Sequence, residues 1–88
     1  MPTIAKLGNL IIKIHYIEDE HNPPHFHAYC GGSEAIVDIN KSSFVVGYLP
    51  RPIMKIVIEF AKQNKKILLK MWKSQKFTKL EIKEKNYA

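Results

Sequence analysis

A chain of 88 residues with 45% hydrophobic and 25% charged side chains predicts one soluble globular domain, residues 1–88, with a modest core. No apolar run is long enough to cross a membrane, MPTIAKLG holds no signal-peptide core, and the lone Cys30 forms no internal disulfide, so the expectation is a cytoplasmic protein. The net charge of +6 is laid down unevenly: through Leu49 three lysines meet five carboxylates, a net −2, and from Pro50 onward Arg51 and ten lysines meet three glutamates, a net +8.

In chain order, the first predicted element is a short strand near Thr3 to Lys6, which pairs through LGN with LIIKIHYI, Leu10 to Ile17. That run is β-branched and aromatic and reads as a strand. Leu10, Ile12, Ile14 and Tyr16 share one face, and Ile11, Lys13, His15 and Ile17 share the other. Pro23-Pro24 cannot sit inside a central ladder, so the next strand begins after them. HFHAYC then alternates Phe26, Ala28 and Cys30 against His25, His27 and Tyr29. GGS is a turn, and EAIVDI is the following strand.

With Gly31-Gly32 as the central turn residues, the hairpin has one register. Tyr29 faces Glu34, His27 faces Ile36, and His25 faces Asp38, while Ala28 meets Ala35 and Phe26 meets Val37. A slip of one residue would break the apolar match. Beyond GYLPRP the period becomes helical, with Ile53, Ile56, Val57, Phe60 and Ala61 on one face and Pro52 in the first turn. QNKK interrupts, Asn64 suits the cap of a second helix, and that helix would bury Ile67, Leu68, Met71 and Trp72. FTKLEI reads as a final short strand. The predicted fold is α+β: a small antiparallel sheet of about four strands, with the short C-terminal strand added, and two helices on one face.

Burying Phe26, Ala28 and Cys30 under the helices turns the imidazoles to the uncovered face. A candidate binding surface follows: His15, His21, His25, His27, Tyr29 and Asp38, with Glu34 and Lys13 beside them. Imidazole nitrogen and carboxylate oxygen suit zinc, so His21, His25 and His27 form a candidate metal set. The spacing matches no established zinc signature. The competing reading is that these histidines are strand residues held by Asp38 and the backbone. A metal-free hydrolase would use His25 oriented by Asp38 as base, but no oxyanion hole or nucleophile completes the set, which weighs against an enzyme. The basic C-terminal half offers Arg51, Lys62, Lys66, Lys70 and Lys73 to nucleic acid, against the plainer reading that exposed lysines solvate a helix.

MPTI at the start, EHNPPHFHAYCGGSEAIVDI, GYLP and the Trp72 helix together resemble a small bacterial family, domain-of-unknown-function family four-one-six-zero. The likeness spans nearly the whole chain. Its most specific piece is acidic-His-x-Pro-Pro-His-Phe-His, here Glu20 to His27, and the motif residues carried over are His21, Pro23, Pro24, His25, Phe26 and His27, with Gly47 and Pro50. Members commonly carry Trp where this chain has Phe60, and often His where it has Asn64; a site using that His would be incomplete here. The resemblance implies a compact α+β domain, often encoded beside a second small protein in a toxin–antitoxin-like or regulatory pair, and it supplies no reaction. Two readings therefore stand. One is a binding module for a small protein partner or a second copy of itself, with nucleic-acid contact through the basic helices. The other is a zinc or similar metal-binding domain, or a metal-dependent hydrolase, built on His21, His25 and His27.

Overall fold

The computed structural model describes residues 3–15 and 23–82. Among them, five strands form one antiparallel sheet in the order β1-β2-β3-β4-β5. They are β1 (Thr3–Leu7), β2 (Leu10–Lys13), β3 (His25–Cys30), β4 (Ser33–Asp38) and β5 (Ser43–Gly47), followed by helices α1 (Arg51–Gln63) and α2 (Lys65–Ser74). Strands next to each other in sequence are next to each other in the sheet, so every pairing is a hairpin or a short return. The architecture is α+β, as the sequence predicts.

The central hairpin has the register read from its turn. His25 pairs with Asp38, Phe26 with Val37, His27 with Ile36, Ala28 with Ala35 and Tyr29 with Glu34. Gly31 takes a φ of +62 at the first turn position, a conformation that costs glycine nothing. On the inner face Ile4, Leu10, Ile12, Ile14, Phe26, Ala28, Val37 and Ile39 are closed to solvent. Phe60 of α1 meets Phe26 edge-on, with ring centroids 6.0 Å apart and planes at 87°. The stripe Ile53, Ile56, Val57, Phe60, Ala61 is buried as its spacing predicts. The second stripe is narrower than expected: Leu68, Met71 and Trp72 are buried, but Ile67 lies on the flank of that face and is 38% exposed.

Asn64 joins the helices differently from the expected cap. It occupies the N-cap position of α2 without a side-chain cap bond. Its side-chain amide instead donates to the Phe60 carbonyl at 3.0 Å, closing the last turn of α1.

The sheet departs from expectation at its two edges. The predicted C-terminal strand is not a strand. Residues 77–82 run along β1, where the Leu80 N–H donates to the Ile4 carbonyl at 2.6 Å, while Phe77, Leu80 and Ile82 pack on the core. These apolar residues dock by side chain and form no ladder. The fifth strand is β5, a segment whose apolar residues do not alternate. Ile36 pairs with Val46 and Val37 with Phe44, which leaves Val45 as an extra residue in a bulge. Gly47, with φ +72, closes β5 against β4; a Cβ there would strike the Glu34 carbonyl oxygen.

Candidate functional site

β3 supplies the centre of the site because its period of two sends His25, His27 and Tyr29 to the face opposite Phe26 and Ala28. β2 brings Lys13 opposite His27. Continued strand pairing would put His15 opposite His25. β2 ends at Lys13, however, and the His15 ring stacks on His27 instead, with centroids 3.8 Å apart and planes within 12°.

The result is a row of rings. Trp72 lies 5.1 Å from His25, His25 lies 5.4 Å from His27, and His27 is near-parallel to Tyr29 at 6.3 Å. The Tyr29 hydroxyl and His15 Nε2 share a hydrogen bond at 3.3 Å, and the Lys13 ammonium sits 5.6 Å from the centre of the Tyr29 ring. This row corrects the picture of an uncovered face in two respects. His27 is only 6% exposed, under the His15 ring, and His25 touches the helix layer through Trp72.

The carboxylates are also assigned differently. His25 and Asp38 are cross-strand partners, but their polar atoms are used elsewhere. His25 Nδ1 donates to the Pro23 carbonyl at 2.8 Å, and the buried Asp38 carboxylate accepts the Lys41 N–H at 2.9 Å. Asp38 thus fixes the turn into β5, an ordinary use of Asp, and His25 is not a base oriented by Asp38. The carboxylate on an imidazole is that of Glu34, one diagonal step away, which accepts the His27 Nδ1–H at 3.0 Å. The Glu34 side chain is half exposed, so the pair contributes about 0–1 kcal/mol.

Of the candidate metal set, His21 lies outside the described residues. Among the described residues no group of three His, Cys, Asp or Glu side chains is arranged to hold an ion. His15 cannot complete a site with His27. Imidazole lone pairs lie in the ring plane, and two parallel planes 3.8 Å apart cannot aim them at one ion.

The basic residues are divided between the helices. Arg51 opens α1 and Lys62 lies in its last turn, about 16 Å along the helix axis. Lys66, Lys70 and Lys73 share one side of α2 and, with Leu69 and Ser74, line a shallow depression of about 480 Å³.

A further surface was not read from the sequence. β5 is the last strand of the sheet, and among the described residues nothing pairs on its outer side. Val45, Val46 and Tyr48 are 59%, 58% and 75% exposed. The available signal was FVVGY, a β-prone run bounded by NKSS and LPRP; the bulge at Val45 hid its alternation.

Residues 9–73 match the profile of a family described as Domain of unknown function (DUF4160). No curated protein and no solved structure matches the chain.

Proposed function

The chain belongs to the DUF4160 family, and from that membership we propose that it is a cytosolic protein-binding module, one half of a pair with another small protein. The pair is of the toxin–antitoxin-like or regulatory kind that the family resemblance implies. The partner adds an extended segment to β5. The observation that carries this reading is the open edge with Val45, Val46 and Tyr48 exposed. An unpaired edge supplies main-chain donors and acceptors, and its outward side chains supply selectivity. Lys41 before the strand and Arg51 after it favour a segment with apolar alternate positions and carboxylates at its ends, which also suits a chain of net +6.

The test is coexpression with the proposed small partner protein, sought among adjacent genes as the family resemblance implies, using Val45→Glu/Val46→Glu as the comparison. The two proteins should copurify at equal stoichiometry, and the double variant, still folded by circular dichroism, should lose the neighbour. Copurification that survives the double variant would contradict the reading. So would a dimer of this chain alone that depends on β5, because the edge would then belong to a second copy.

A second reading, a transition-metal site, has one observation in its favour. His25 and His27 each donate Nδ1–H to a fixed oxygen, of Pro23 and of Glu34, the outer arrangement that metal-ligating histidines use. Elemental analysis of untagged protein decides it. About one equivalent of zinc or a similar ion, lost when His21, His25 and His27 are replaced by Gln, would favour metal. Metal-free protein would remove it.

A further inference from the structure

From Arg51 to Lys79 nine cations are offset by Glu59 alone. The fold does not spread them evenly. Lys66, Lys70 and Lys73 recur at i, i+4 and i+7, so α2 carries them as one stripe, exposed along its length. Leu69 and Ser74 lie between and beside them, and the five residues enclose the shallow depression on the outer side of the helix. The opposite side is spent on the core through Leu68, Met71 and Trp72, so α2 is anchored by one face and basic on the other.

We propose that this stripe is a docking surface for the phosphate backbone of duplex nucleic acid, separate from the protein-binding edge. Seven residues of helix span about 10.5 Å. Successive phosphates of one strand wind around the duplex axis and lie farther apart than the rise per base pair, but the long flexible lysine stems extend the reach of the stripe, so its three ammonium groups can neutralise about three phosphates, one per lysine. The chemistry is point-charge contact without base reading. The single aromatic residue of α2, Trp72, is 2% exposed, so the face offers no ring on which a base could stack. Lysine rather than arginine fits the same role, because a flexible ammonium neutralises phosphates without demanding a fixed fork geometry. Lys65 and Lys66 also stand in the first turn of α2, where the helix dipole disfavours cations and where no acidic residue offsets them. A bound polyanion would offset that local conflict.

The experiment is fluorescence anisotropy of a labelled DNA duplex of unrelated sequence, titrated with the full chain between about 50 and 200 mM salt. The comparison is Lys66→Gln/Lys70→Gln/Lys73→Gln against a charge-matched control, Lys6→Gln/Lys55→Gln/Lys79→Gln, whose lysines are exposed outside the stripe. At about 0.9 per phosphate, the slope of log affinity against log salt should shrink by about 2.7 in the stripe variant and stay near the parent value in the control. Shuffling the duplex sequence should leave affinity unchanged. No binding at low salt overturns the proposal. An equal loss of slope in both variants overturns it too, since net charge rather than the stripe would then be acting. Binding to anionic phospholipid vesicles but not to duplex assigns the stripe to a membrane surface and also overturns it. Loss of duplex binding with the neighbour protein still held by β5 separates this surface from the protein-binding one.

Discussion

The two edges of the sheet are treated in opposite ways. β1 is guarded: residues 77–82 lie along it, the Leu80 N–H reaches the Ile4 carbonyl, and Ile82 is driven into the core. β5 keeps one protective device, the bulge at Val45, and has neither a charge nor a proline within the strand. Natural sheets usually blunt such an edge with charge, proline or a covering segment. Among the described residues one edge is covered and the other leaves Val45, Val46 and Tyr48 exposed, and the proposed partner contact rests on that contrast. In this small domain most side chains have structural work. Asp38 holds a turn, His27 is stacked and hydrogen-bonded, and Asn64 closes a helix. Among the described residues, three of the four exposed large apolar side chains, Val45, Val46 and Tyr48, lie in or just after β5.

The largest effect is expected at the buried anchor of α2, the helix that leads into the covering segment. Trp72 is 2% exposed and lies at the end of α2, just before the chain turns through Gln75 toward β1. Trp72→Ala should cost about 3–5 kcal/mol, enough to unfold much of so small a domain. A variant with an unchanged melting temperature would show that α2 does not anchor the covering segment. Next is the guarded edge itself. Ile82→Ala removes a buried side chain and should cost about 2–4 kcal/mol by urea denaturation. Gly47→Ala tests how β5 is seated. With φ +72 and the Glu34 carbonyl in the way, it should cost about 1–3 kcal/mol. Smallest in stability is the pair that separates the edges most cleanly. Val45→Glu/Val46→Glu should change stability by less than about 1 kcal/mol, because both positions are exposed, yet remove partner binding.

What could be read in advance follows the range of the forces involved. The β3–β4 register was legible because Gly31-Gly32 fixes the turn and parity does the rest; every pair from His25–Asp38 to Tyr29–Glu34 is where the residues put it. The α1 stripe was legible for the same reason, as a single period over thirteen residues. β5 was hidden because a bulge breaks the alternation on which strand reading depends. Residues 77–82 misled in the reverse direction: Phe77, Leu80 and Ile82 mimic a strand pattern, but they are spaced to fill gaps in a core already enclosed by sheet and helices. The site was only partly legible. Parity put His25, His27 and Tyr29 on one face. The His15–His27 stack depends on where the chain leaves β2, and the choice of Glu34 over Asp38 depends on a turn that needs the Asp38 carboxylate. Neither is local in sequence.

The proposed role of β5 is that of the edge that receives another protein. Amide hydrogen exchange, measured on the chain alone and in complex with the proposed partner protein, tests it residue by residue. The amides of Ser43–Gly47 should exchange readily in the free chain and become strongly protected in the complex, with those of β1 unchanged. Protection that appears on α2 or along the imidazole row while β5 exchanges as before would contradict it.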